Sequence, residues 1–175
     1  AALSALLDKL TDEIREHEQE KLLYEIEMPL ARVLAGMECE GFALDTQALR
    51  DYGGELDDRI DETHAAIVEY AGYDFNLNSP KQLGDVLFVK LGLPAKKKTK
   101  TGYSTNVDVL EALRPQHPII GEILEYRKLS KLKSTYVDGL LKVVGPDGRV
   151  RSTFQQTETR TGRISSTEPN LQNIP

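Results

Sequence analysis

Apolar residues recur along most of this chain at intervals of three and four, which predicts a mostly helical protein. Leu3, Leu6, Leu7, Leu10 and Ile14 set a first helix over residues 1–20, running into the solvated stretch Glu16-His17-Glu18-Gln19-Glu20. From Lys21 to Glu40 the positions Leu22, Leu23, Ile26, Leu30, Val33, Leu34 and Met37 keep to one helical face, and Gly41 is placed to end it. Proline in a helix interior costs about 3 kcal/mol, so Pro29 predicts either a kink or a break near Met28. A second helix, capped by Asp45 or Thr46, carries Leu49, Tyr52, Leu56, Ile60, Ile67 and Tyr70 up to Gly72, a rod of about 40 Å. Gly53-Gly54 weaken it by about 1 kcal/mol each relative to alanine, which predicts a close packing approach or a bend there. Its other face is charged, with Arg50, Asp51, Glu55, Asp57, Asp58, Asp61 and Glu62. Neighbouring side chains on a helix diverge by about 100°, so Asp57-Asp58 reads as a solvated face rather than a metal site.

A compact tip is predicted over about residues 75–117. Phe75-Asn76-Leu77-Asn78-Ser79-Pro80-Lys81-Gln82-Leu83 has the form of a helix start, with Ser79 as cap and Pro80 at the first helical position, and Gly92 ends the helix. A second short helix starts at Ser104-Thr105, where Thr105-Asn106-Val107-Asp108 fits a capping box. Between them lie Lys96, Lys97, Lys98 and Lys100. A lysine run alone is a solvated loop; beside two helix N-termini, whose N–H groups can receive phosphates, it is a candidate for sequence-independent phosphate contact.

The third long helix runs from Pro118 to Lys142. At 100° per residue Leu129, Leu132, Tyr136 and Leu140 share one stripe, while Arg127, Lys131, Ser134 and Thr135 cluster opposite. Lys133 lies at the stripe's edge, where its stem can pack while its ammonium reaches a phosphate. Glu125 is the one balancing acid on the outer face. Pro146-Asp147-Gly148 then signals a turn between residues 141–144 and 149–156, predicting a β-hairpin.

Composition adds little, and charge adds more. With no tryptophan and 29% charged residues the chain reads as elongated helical structure, and its one cysteine, Cys39, gives no disulfide framework and fits a reducing compartment. No apolar run is long enough for a bilayer and the start lacks a signal peptide, so a cytoplasmic protein without a membrane partner is expected. The net charge of -6 hides a division. Residues 1–75 hold 19 Asp+Glu against 6 Lys+Arg, a net -13, whereas residues 76–175 hold 9 against 16, a net +7. Such asymmetry points to a polyanion for the second half, although a basic surface also serves acidic proteins.

The last stretch changes the odds. Thr159 to Pro175 offers Arg160 and Arg163, the hydroxyls Ser165, Ser166 and Thr167, and the amides Asn170, Gln172 and Asn173, with almost nothing to bury. Composition alone allows a loop whose side chains cap their own backbone, or a surface for phosphates and base edges. The order Thr161-Gly162-Arg163-Ile164-Ser165-Ser166-Thr167-Glu168-Pro169-Asn170-Leu171-Gln172-Asn173-Ile174-Pro175 closely resembles the opening of the palm domain in the bacterial family A DNA polymerases. Ile26-Glu27-Met28-Pro29-Leu30 with Gly41-Phe42 and Asp45, the Phe75 to Leu83 segment, Tyr103-Ser104-Thr105, and Leu124 through Tyr136 are similar to that family's approach to the thumb, thumb tip and thumb helix.

The resemblance implies a fold of long antiparallel helices with a small helical tip, the polymerase thumb, followed by a β-hairpin beginning the palm. It implies a tail of an exonuclease-like domain over 1–20, the thumb over 21–142, and a truncated start of the palm over 143–175. The function implied is primer–template duplex binding within a DNA-directed DNA polymerase of replication and repair, cytoplasmic and nucleoid-associated. Arg163 would read the minor groove at the primer terminus, with Asn170, Gln172 and Asn173 nearby. Arg127, Lys131, Lys133, Ser134 and Thr135 on the helix, and Asn76, Asn78, Ser79, Lys81, Lys96, Lys97, Lys98, Lys100, Ser104 and Thr105 at the tip, would hold the duplex. The catalytic aspartates and the nucleotide-binding residues of the family fall beyond Pro175. No catalytic or metal-binding residue is therefore expected in this stretch, Mg²⁺ is expected for the parent enzyme alone, and deoxynucleoside triphosphates require the absent palm and fingers. The competing reading is a non-enzymatic helical protein-interaction module.

Overall fold

The computed structural model describes residues 2–95, 98–99 and 102–174, arranged as two compact units, residues 46–141 and residues 1–45 with 142–175. Lys96, Lys97, Lys100 and Thr101 lie outside the described residues, and of Lys98 only the backbone is described.

In the unit 46–141, α3 (Thr46–Ala71) packs along α6 (Ile119–Lys131). The face it buries holds Gly53, Leu56, Thr63, Ile67 and Ala71, with Leu49 and Ile60 packed alongside, whereas Tyr52 and Tyr70 are exposed. The expected stripe was therefore right in its aliphatic members and wrong in its tyrosines, because a straight helix drifts away from a strict seven-residue repeat. Gly53 is a close approach: a Cβ there would lie 3.0 Å from Val137 Cγ1. At the tip, α4 (Pro80–Gly84) continues into a π-helical turn over Asp85–Lys90. Leu83, Val86 and Leu87 meet Leu110 and Leu113 of α5 (Val107–Leu113) and Ile119, Ile120 and Ile123 of α6 in one core. Each fully buried side chain of this size contributes about 1.5–3 kcal/mol.

The third long helix contains a π-helical turn, Leu132–Val137, before α7 (Asp138–Val143). The Asp138 N–H donates to the Lys133 carbonyl, five residues back. That extra residue in the turn puts Val137, in place of the expected Tyr136, in the buried cluster with Leu56 and Leu129, and the partly buried Leu132 and Leu141, rather than Leu140, pack against it. A wheel at a fixed 100° could not register it.

In the other unit, α1 (Ala2–Glu16) is followed by a π-helical turn at Leu22–Glu27 and α2 (Met28–Glu40), with Pro29 at the start of α2. Pro29 stands in the first turn of α2, directly after a π-helical turn in which the Met28 N–H reaches back to the Leu23 carbonyl, so α-helical winding restarts at Met28, where a break was expected. Of the stripe predicted here only Leu34 is buried, and Val33 and Met37 are exposed. The expected hairpin is corrected as well. Residues 141–143 are helical, β4 (Arg149–Val150) pairs with β1 (Phe42–Ala43), and β5 (Thr153–Gln155) pairs antiparallel with β6 (Ser165–Thr167). The Pro146-Asp147-Gly148 turn exists, with the Gly148 N–H on the Gly145 carbonyl, but it feeds a strand whose partner lies over 100 residues earlier. In the tip, β2 (Lys98–Thr99) pairs with β3 (Gly102–Tyr103).

Gly41 ends α2 with φ 64° and ψ -171°, a conformation nearly restricted to glycine, and a Cβ there would meet the Val150 carbonyl oxygen at 2.6 Å. Gly41→Ala is expected to destabilise the chain by about 2–4 kcal/mol. Gly36→Ala, in the same helix with open space around it, should instead gain up to about 1 kcal/mol. Urea unfolding of both variants decides this; equal effects would mean that the β4 contact does not constrain Gly41.

Candidate nucleic-acid interface

The terminal polar stretch is an exposed loop on a buried polar base. Ser166 is buried in β6, and its Oγ accepts from the Leu171 N–H at 2.9 Å. Ser152, also buried, places its Oγ 3.0 Å from the Thr167 carbonyl and 2.7 Å from that of Pro169. The Asn170 side-chain oxygen accepts from the Gln172 N–H at 3.0 Å, and the Gln172 amide donates to the Ile164 carbonyl. Thr159 Oγ1 donates to the carbonyl of Arg163. Self-capping of the backbone therefore occurs, and it occupies part of Asn170 and Gln172. Asn173 is exposed. This self-capping leaves the Arg160 and Arg163 side chains exposed, with no ion pair to either among the described residues; the Glu168 carboxylate does not pair with Arg163.

This base rests on α2. The last carbonyls of a helix have no partner within it, and here two arginines supply them. Arg149 donates to the Glu40 carbonyl at 2.8 Å and to its carboxylate at 2.7 Å, and Arg151 donates to the Cys39 carbonyl at 2.9 Å. The Glu38 carboxylate receives the Phe154 N–H at 2.7 Å, and Gln156 donates to the Glu27 carboxylate at 2.8 Å. Arg151 also holds Asp147 at 2.7 and 3.2 Å. That hydrogen bond, with the N–H of Arg149, pulls the Asp147 carboxyl down to about 2. None of these partners was anticipated. No spacing connects residues 27–40 with 147–156, and only the Arg-x-Arg pair after a turn marks the place.

In the unit 46–141 the expected tip residues also cap one another. Ser79 Oγ accepts from the Gln82 N–H at 3.4 Å, Asn76 accepts from the Asn78 N–H at 2.9 Å, and Gln82 accepts from the Asn76 N–H at 2.8 Å. The cap of α5 is Asn106, whose side chain accepts from the Val109 N–H at 3.0 Å, and not Thr105. Thr105 is instead buried and bound by Arg127, one N–H going to its carbonyl and another, at 3.1 Å, to its hydroxyl. Lys133 lies between Asp57 at 3.2 Å and Asp138 at 3.3 Å, so its ammonium is already paired. Ser134 Oγ donates to the Ser130 carbonyl at 2.7 Å. Lys81, Lys131 and Thr135 are exposed, and Ser104 is partly so.

A family model described as DNA polymerase family A matches residues 46–175. The chain belongs to DNA polymerase family A. The resemblance drawn from its terminal motif is thereby borne out, and the similarity runs over the whole length. A DNA polymerase I of Geobacillus stearothermophilus is 57% identical over 100% of this chain and 20% of that protein, and one of Bacillus subtilis strain 168 is 52% identical over 99% and 20%. The chain spans about one fifth of the length of these curated relatives. A solved structure described as the POL domain of Pol1 from M. smegmatis, in complex with DNA primer-template and dNTP, covers 99% of this chain and 31% of its own at 45% identity and a TM-score of 0.87. In this family A segment the mostly helical fold agrees with that neighbour.

Asp147 supports a pH test of the loop's base. Its folded pKa lies below the ordinary carboxylate value, so the stability it contributes is present above about pH 4 and is lost as pH falls towards 2. The difference in melting temperature between the parent chain and Asp147→Asn should hold steady from neutral pH to about 5 and shrink between about 4 and 2. A gap that does not change with pH would show that Asp147 is not held ionised against Arg151.

Proposed function

We propose that the longer protein to which this segment belongs is a DNA-directed DNA polymerase of replication and repair, working in the bacterial cytoplasm at the nucleoid, and that this segment holds its primer–template duplex. The observation carrying this reading is the likeness, over 99% of this chain, to part of a polymerase domain described with primer-template and dNTP, together with exposed arginines, unpaired among the described residues, on the loop that carries the motif. The residues that would contact the duplex are Arg163 with Asn170, Gln172 and Asn173 on the loop; Lys81, Asn76, Asn78, Ser79, Ser104 and the lysines of residues 96–100 at the tip; and Lys131, Ser134 and Thr135 on the third helix. Minor-groove acceptors common to all base pairs suit Arg163 to a sequence-independent check of the primer terminus. Among the described residues no group of three or more acids, histidines or cysteines converges to hold a metal ion, and no step of phosphoryl transfer is placed on them.

Duplex affinity of the chain should fall steeply with salt. For about four phosphates engaged, the slope of log affinity against log salt is near -3.6. The same preparation should extend no primer. No binding at low salt, or a flat slope as a protein-interaction module would give, removes the reading, and extension by the 175 residues alone would refute the division of labour.

Arg163 should separate chemistry from grip. In the full-length protein Arg163→Ala is expected to slow single-turnover incorporation roughly tenfold to hundredfold while changing duplex dissociation less, and to alter extension from mismatched termini. Should it lose affinity alone, and equally on matched and mismatched ends, the minor-groove role fails.

A further inference from the structure

Arg127 faces the wrong way for the task its position on the helical wheel suggests. Its planar guanidinium forks onto one residue, giving one N–H to the Thr105 carbonyl and another to Thr105 Oγ1 at 3.1 Å. Burial of the guanidinium pulls the Arg127 pKa below its ordinary value, and Thr105 is 6% exposed. To swing towards a phosphate, Arg127 would leave that buried carbonyl and hydroxyl without their donors. Thr105 sits at a junction. On one side β3 pairs Tyr103 with Lys98 of β2, and the Tyr103 ring lies 4.8 Å from that of Phe88. On the other side Asn106 caps α5. A single fork from α6 thus holds the short backbone between β3, on which the strand with Lys98 is paired, and α5.

We propose that Arg127 is a positioning residue of the duplex-binding tip: its fork on Thr105 fixes residues 102–106, and with them Ser104 and β2, without itself touching a phosphate. The proposal rests on the duplex-binding reading above. Lysine cannot substitute, because a point charge does not span a carbonyl and a hydroxyl in one plane.

The test uses the full-length protein and a short primer–template duplex, with Arg127→Ala, Arg127→Lys, Thr105→Val and the double variant Arg127→Ala/Thr105→Val, and with Lys131→Ala for comparison. Hydrogen exchange of the 102–110 amides and the salt dependence of the dissociation constant are measured. Arg127→Ala, Arg127→Lys and Thr105→Val should each speed exchange in 102–110 and weaken binding roughly fivefold to tenfold, the double variant being no worse than the worse single one. Their salt slopes should match wild type, whereas Lys131→Ala should reduce the slope by about 0.9. Three results would overturn the role: a slope reduced by about 0.9 in Arg127→Ala with exchange unchanged, wild-type behaviour in Arg127→Lys, or wild-type behaviour in Thr105→Val. Absence of salt-dependent binding in the wild type would sink the duplex reading itself, an outcome distinct from failure confined to the variants.

Discussion

Helix α3 and the π-helical turn at Leu132–Val137 approach closely because residue 53 has no side chain. The same approach brings Lys133 Nζ to Asp57 across the contact, while Asp138 holds it from its own helix. The hydrogen bond with Asp57, and after it that with Asp138, keeps the Lys133 ammonium above the ordinary lysine value. A raised lysine pKa contributes stability that is complete below the unfolded value of about 10.4 and is lost only as pH rises through the folded one, so this clamp is fully present at neutral pH. The lysine expected to grip a phosphate instead fastens two helices together. The groups the clamp does not consume are the ones left for the duplex role proposed above.

That reassignment shows where sequence reasoning stops. Caps and breaks were legible because their causes are local: Ser79 with Pro80, Gly41 and the long α3 all stand where propensity and periodicity put them. Tertiary demands were not. The π-helical turn inserts a residue so that Val137 and Leu141 can meet Leu56 and Leu129, and nothing in the spacing of Leu132, Tyr136 and Leu140 foretells it. The cap of α5 moved by one residue for a similar reason, since the hydroxyl of Thr105 was already taken by Arg127. Strand partners were lost to distance, as β4 has as its mate a two-residue strand more than 100 positions earlier. The family itself was read from order rather than composition, because the same polar residues shuffled would form a self-capping loop equally well.

The loop of residues 159–174 is the first of the two things its composition allowed, a self-capping loop. Its hydroxyls and amides do cap backbone, and this is what lets a segment with almost no apolar content hold a shape: Ser152 and Ser166 are buried and satisfied, and each fixes a stretch of main chain. Net worth per such bond is about 1 kcal/mol, so the two serines together order the loop without a hydrophobic core of its own. A loop ordered in this way presents its remaining side chains without drawing them inwards.

Arginine is then sorted by what lies beside it. Arg127, Arg149 and Arg151 stand next to carbonyls that would otherwise go without a donor: that of Thr105, and the last carbonyls of α2. Planar donors suit them, and the geometry absorbs them into the fold. Arg160 and Arg163 stand in a loop where a hydroxyl and an amide serve the carbonyls of Arg163 and Ile164, and neither arginine has an ion pair among the described residues. Guanidinium groups that no neighbouring acceptor engages remain available to an acceptor from outside. In this segment that condition, more than net charge or the count of lysines, separates the cations that build the protein from those that can meet a nucleic acid.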